Sequence, residues 1–186
     1  MTILIEEGEG SQGESEGQAD PEKIEAPGIE NFSCIAGGKS CGGSLVGFGG
    51  ATEARAMGWL KTRGFATVIN LRFAEEEGVN LEACRAAAEA VGLKYVHLPF
   101  SPKDSDPAVV IAFLALVTDK ANQPVYLHCG SATRAAALWM IARLLEDGCQ
   151  SDTASREAAL IARKPDSAIA FAVAFAARQS KNSDKG

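Results

Sequence analysis

The sequence has no lysine- or arginine-rich run, no stretch approaching the ~20 uninterrupted apolar residues of a membrane span, and no cysteine pair at a common zinc spacing. Its 18 basic residues are outnumbered by 24 acids, for a net charge of −6. Without a basic patch, nucleic acid is not an expected partner. Met1 to Ile5 is apolar, but it is far shorter than the hydrophobic region of a signal peptide, and no basic residue precedes it. The chain therefore reads as soluble and cytoplasmic, with no membrane association. Five cysteines (Cys34, Cys41, Cys84, Cys129 and Cys149) are an odd number, scattered without an export signal. That argues against a disulfide framework and for reduced thiols. Cys34 and Cys41 are separated by six residues with no second pair to accompany them, so neither a metal nor a cofactor is implied. Cys84, among alanines at helical spacing, reads as a small core residue.

The acidity is concentrated at one end. The first thirty residues hold nine acids and one base, a net of −8, so the remainder carries +2. A segment so polar and charged cannot bury enough apolar surface to offset the entropy of ordering it, and residues 1–28 are expected to be a disordered acidic tail. The rest, with 46% hydrophobic residues over the whole chain, suffices for one core. One domain is expected over 29–179, followed by a flexible C-terminal tail, 180–186.

Short β-branched runs alternate with longer helical ones, the pattern of an α/β fold with a central, mainly parallel sheet flanked by helices. Thr52 is placed to cap a helix over Glu53 to Arg63, closed by Gly64. Ala66 to Leu71 reads as a buried strand, Leu81 to Val91 as a helix stopping at Gly92, and Lys94 to Leu98 as the next strand. Asp106-Pro107 opens a helix toward Asp119. Val125 to His128 is a strand, and an apolar helix follows from Arg134 to Leu145. Two alanine-rich helices, about 152–164 and 167–178, are separated by Pro165. Seven glycines between Gly37 and Gly50 lack the Gly-Lys-Ser/Thr ending of a phosphate loop, and the segment reads as an irregular connection.

One constellation carries chemistry. In Val125-Tyr126-Leu127-His128-Cys129-Gly130-Ser131-Ala132-Thr133-Arg134 a strand ends in His-Cys, small residues follow, and an arginine opens a helix. Successive backbone N–H groups in such a turn form an anion nest, and the helix N-terminus adds partial positive charge. Both favour the thiolate form of a thiol at the centre, and the thiolate is the attacking species. Arg134 offers a planar fork for two phosphoryl oxygens. Cys129 is thus the candidate nucleophile and Arg134 the candidate clamp, with His128, Gly130, Ser131, Ala132 and Thr133 around the bound group. Arg72, at the carboxyl end of its strand, lies where ligands sit in open α/β sheets; pairing with Glu75 to Glu77 is its alternative role.

Taken in order, Gly64 to Arg72, Val91 to Pro99 and the loop from His128 to Arg134 resemble the cysteine-dependent protein tyrosine and dual-specificity phosphatase superfamily. The similarity is to its bacterial phosphatase-like branch, including domains found beside beta-lactamase-like hydrolases. It spans roughly residues 29–148. It implies hydrolysis of phosphomonoesters through a phosphocysteine, with a phosphorylated protein or small phosphoester as partner. It also implies an aspartate general acid after the Tyr95 to Pro99 strand, for which Asp104 is preferred to Asp106 because Asp106 has a capping role before Pro107. The chain departs from the branch in carrying Ala132 where a glycine is usual and Ala135 where a hydroxyl residue follows the arginine. Two other readings stand beside it: a rhodanese-like sulfurtransferase, and a phosphate-binding module with little turnover. Oligomeric state is not legible.

Overall fold

The computed structural model describes residues 19–103 and 106–183. Among them β1 (Glu22–Lys23), β2 (Ser33–Ala36), β3 (Leu45–Gly49), β4 (Thr67–Asn70), β5 (Lys94–His97) and β6 (Val125–His128) form one sheet in the order β1-β2-β3-β6-β4-β5. β3, β6, β4 and β5 are parallel; β1 and β2 add an antiparallel edge. Six helices flank it: α1 (Ala56–Thr62), α2 (Leu81–Ala90), α3 (Pro107–Thr118), α4 (Thr133–Leu145), α5 (Ser151–Ile161) and α6 (Pro165–Ser183). The expected α/β architecture with a mainly parallel sheet is present.

Strand alternation divides the core into two layers. Val125 and Leu127 of β6 join a cluster with α3, α4, α5 and α6, while Tyr126 between them joins α1 and α2 on the opposite face. In α4 every residue from Ala135 to Arg143 is buried. Its alanines let the helix lie close to the sheet and to α5 and α6, and Trp139 packs on Phe48 of β3 with ring centroids 5.5 Å apart.

Local chemistry sets the starts of two helices. Asn80 accepts from Ala83 N at 3.0 Å and starts α2, and Asp106 accepts from Ala108 N at 2.8 Å with Pro107 in the first turn of α3. Each such cap is worth about 1 kcal/mol. Thr52 does not cap a helix. α1 begins only at Ala56 with no side-chain cap, and the Thr52 hydroxyl instead bonds Gly50 O at 3.0 Å and Tyr126 Oη at 2.8 Å. A buried phenol needs a polar partner, and Thr52 supplies it. Pro165, expected to separate two helices, lies in the first turn of α6, where its missing N–H removes no helical bond.

The glycine-rich stretch is an ordered hairpin arm rather than an irregular connection. β2 and β3 pair along it, with a single 3-10 turn over Lys39–Cys41. Gly49 is required by a close approach, since a Cβ there would meet Tyr126 Oη at 1.9 Å. The sheet also begins inside the stretch 1–28, at Glu22, and α6 continues past residue 179 to Ser183; residues 1–18 lie outside the described ones. At the far end of α4, buried Arg143 bonds Asp147 at 2.7 Å and Glu157 at 3.0 Å, with Trp139 Nε1 also donating to Glu157 at 2.9 Å. Asp147 in turn accepts from Ser40 N at 2.7 Å, which fastens the 3-10 turn to α4. No helix among the described residues is long and apolar enough to cross a membrane.

Candidate active site

The carboxyl ends of β3, β4 and β6 meet at the turn into α4. Cys129 N donates to Gly49 O at 3.2 Å, which fixes the nucleophile candidate to the end of the neighbouring strand. Its side chain is almost wholly covered, at 1% exposure. Past Cys129 the loop is braced from two sides. Ala51 N donates to Gly130 O at 3.1 Å, and Arg163 N donates to Ser131 O at 3.3 Å. A trans peptide sets its N–H opposite its C=O, so the amides of Ser131 and Ala132 point away from these braces. Lys164 N adds a bond to Thr133 Oγ1 at 3.2 Å.

Ala132 has φ 62° and ψ −3°, a left-handed conformation that favours glycine. The turn thus holds the shape a glycine would give it, with a methyl group added, and that methyl is buried. Ala135, one residue past the arginine, is fully buried and carries no hydroxyl. The nearby hydroxyls of Ser131 and Thr133 bond each other at 3.1 Å.

Arg134 is gripped by Glu76, a residue given only a minor role as a partner for Arg72 in the sequence reading. Nη1 donates to Oε1 at 2.7 Å and Nη2 to Oε2 at 2.8 Å. Nη1 also faces the carbonyls of Leu71 and Phe100, each at 3.2 Å. Of the five guanidinium N–H groups, the Nε–H and the second Nη2–H remain, on one edge. A Cβ built on Gly130 would lie 3.7 Å from Arg134 Nη2 and 3.9 Å from Glu76 Oε2, so this ion pair forms one wall of the loop. The thiol of Cys129 is also within the guanidinium's reach.

Burial opposes ionisation of the Glu76 carboxyl, but Arg134, the Phe73 amide and Arg72 outweigh it and hold the group down to about 2. Glu76 is therefore a fixed anion. Arg72 reaches it from the other side at 3.2 Å, with its Nη2 on the Glu77 carbonyl. The alternative role for Arg72, pairing with the acidic run, is the one observed.

His128 is buried with its ring stacked on Tyr126, centroids 5.6 Å apart and planes 11° from parallel. Neither ring nitrogen has a hydrogen bond of good geometry; the backbone of Cys129 and Gly50 offers only weak ones. Burial, reinforced by the charges of Arg72 and Arg134, lowers its pKa to about 3. It is neutral near pH 7, and its place is under the loop. Asp106 is an exposed helix cap, and Asp104 lies outside the described residues. The glycine-rich segment Gly37 to Gly50 meets the loop only at its end: Gly49 and Gly50 touch it, whereas Gly38 lies beside Asp147 at the far end of α4. Among the described residues no group of three or more His, Cys, Asp or Glu side chains is placed to hold a metal.

The missed role of Glu76 had a trace in the sequence. Two arginines, Arg72 and Arg134, converge on one sheet end, and the acidic run after β4 is the nearest source of balancing charge.

Comparison with known structures shows the same fold in distant proteins. The catalytic core of the PP-IP phosphatase SIW14 from S. cerevisiae superposes with a TM-score of 0.60 at 19% identity, over 76% of this chain and 81% of that one. A DUF442 protein from Shewanella putrefaciens CN-32 gives 0.59 at 20% identity, over 80% and 92%. TpbA from P. aeruginosa gives 0.54 at 16% identity, over 86% and 98%. No curated protein matches the chain. Residues 51–146, just over half of the chain, match the model of the beta-lactamase hydrolase-like protein, phosphatase-like domain. With Cys129 and Arg134 inside the matched span, the chain belongs to that family.

Proposed function

We propose that this protein hydrolyses phosphomonoesters in the manner of a protein tyrosine or dual-specificity phosphatase, through a phosphocysteine on Cys129. The observation that carries the reading is the half-occupied Arg134: Glu76 and two carbonyls hold one edge of its guanidinium, and the other edge is left beside the Cys129 loop. A fork fixed in this way binds two phosphoryl oxygens without reorganising.

The Cys129 thiolate attacks phosphorus as the ester P–O bond breaks, and Asp104 gives the leaving oxygen its proton. Water, giving a proton to the Asp104 carboxylate, then cleaves the S–P bond and returns the thiolate. Glu76 is a positioning residue in this scheme, acting through Arg134. The family match favours phosphatase over sulfurtransferase chemistry. The partner is a phosphorylated protein or a small phosphoester, met in the cytoplasm.

A slow second step follows from Ala135. The superfamily's hydroxyl at this position assists the departing thiolate, and here the position is a buried methyl. Ser131 and Thr133 bond each other instead, so phosphocysteine is expected to accumulate.

The test is phosphate release from p-nitrophenyl phosphate by the full chain and by its Cys129→Ser form. Release by the first and none by the second is the expected result. Equal behaviour of the two sinks the assignment.

A further inference from the structure

The connection between α5 and α6 presents two cations at the edge of the loop. Arg163 and Lys164 are held to the loop by their backbones, through Arg163 N on Ser131 O at 3.3 Å and Lys164 N on Thr133 Oγ1 at 3.2 Å. Asn31 Nδ2 anchors the same connection at Ile161 O, 3.0 Å away. Both residues are exposed, and among the described residues neither side chain has an ion pair or hydrogen bond. The acid nearest in sequence is Asp166, in the first turn of α6. Elsewhere around the site charge is matched: Arg72 and Arg134 share Glu76. A fixed, adjacent and unmatched pair on the rim is a different arrangement.

We infer that Arg163 and Lys164 form a second anion subsite, and that the substrate is a small phosphoester carrying a second phosphate beyond the one transferred to Cys129. This rests on the phosphatase reading above. Two neighbouring cations suit the double charge of a phosphate, to which Arg brings a planar fork and Lys a point charge. The bracing fixes the backbone of both residues against the loop, so the reach of the two side chains limits how far the second group can lie from the first. An exposed pair on a mobile arm would lack that selectivity.

The experiment uses fructose 6-phosphate and fructose 1,6-bisphosphate, which differ only in the second phosphate. It compares the full chain with the Arg163→Gln/Lys164→Gln variant and with the charge-reversed Arg163→Glu/Lys164→Glu variant. The readout is the ratio of kcat/KM for bisphosphate over monophosphate. We expect the ratio to fall about tenfold in the neutral variant, and further in the reversed one, as the attraction of two rim charges is removed. An unchanged ratio overturns the subsite, as does a loss confined to a glutamate-flanked phosphotyrosine peptide, which would assign the pair to a peptide. If the wild type turns over neither these esters nor p-nitrophenyl phosphate, the phosphatase reading itself fails. The subsite is then judged from the same ratio in dissociation constants, measured by calorimetry on the Cys129→Ser form with and without the paired substitutions.

Discussion

Glu76 and Arg134 are 58 positions apart in the chain, yet they meet carboxylate to guanidinium in two parallel bonds of 2.7 and 2.8 Å. The pair joins the loop after β4 to the first turn of α4. Replacing Glu76 by Gln keeps the shape and removes the charge. Arg134 then loses its fixed edge, and kcat/KM for p-nitrophenyl phosphate is expected to fall by about 10- to 100-fold, the scale of a displaced clamp. Vanadate affinity should weaken in parallel, a change that a purely structural role for Glu76 would not produce.

The depressed Glu76 pKa also fixes a pH window. Its folded value, about 2, lies below the ordinary 4.5, so its stabilising contribution is complete above about pH 4.5 and is lost as pH falls toward 2. Urea denaturation between pH 5 and pH 2.5 should show a steeper loss for wild type than for Glu76→Gln.

His128 gives a second window of opposite origin. Its folded pKa, about 3, lies below the ordinary 6.5 because the charged form is not solvated. As pH falls below about 6.5 the unfolded chain takes up a proton that the native protein refuses, costing ~1.4 kcal/mol per pH unit until the folded value is reached. His128→Asn removes this dependence. A profile of wild type and variant between pH 7.5 and 4.5 that runs parallel would contradict the buried neutral imidazole.

Ala132→Gly relieves the left-handed strain at φ 62°. Stabilisation of about 0.5–1 kcal/mol is expected, since the steric gain is partly offset by the freer unfolded chain. Chemical denaturation measures it directly.

Ala135→Ser restores a hydroxyl in the first turn of α4. With p-nitrophenyl phosphate, the wild type should show a burst of p-nitrophenol followed by slow turnover. The variant should show a smaller burst and a faster steady state. A wild type without a burst would place the slow step before phosphocysteine.

Gly49→Ala forces a methyl into the space of Tyr126 Oη. Because Gly49 O also receives the Cys129 amide, the substitution should lower both the melting temperature and phosphate release.

Much of this architecture was legible because its signals are local. Asn80, Gly92 and the Asp106-Pro107 pair mark helix ends by their own backbone chemistry, and the apolar runs of β4 and β6 need only their neighbours to be recognised. The candidacy of Cys129 and Arg134 rests on an equally local pattern, their spacing being contained in one turn. β3 was not, because Gly47 and Gly49 remove the side chains that announce a strand; the rings of Tyr126 and Phe65 fill that space. Thr52 was misjudged because its partner, Tyr126, is 74 positions away. The grip of Glu76 on Arg134 joins residues 58 positions apart and leaves only an indirect trace, the acidic run after β4. Of the two acids proposed as proton donor, Asp106 caps α3, and Asp104 lies outside the described residues.

Apart from Ala51, the residues that brace the loop lie outside the span that defines the family. Gly50 N bonds Glu30 O at 2.7 Å and Glu30 N returns a bond to Ala51 O at 3.0 Å; Asn31 reaches Ile161, and Arg163 closes the circuit on Ser131. A fragment cut to residues 51–146 would also leave β6 without β3 on one side. The span that defines the family and the autonomous folding unit are therefore different lengths of chain, and any excised version that folds should start ahead of Glu22 and end beyond the first turns of α6.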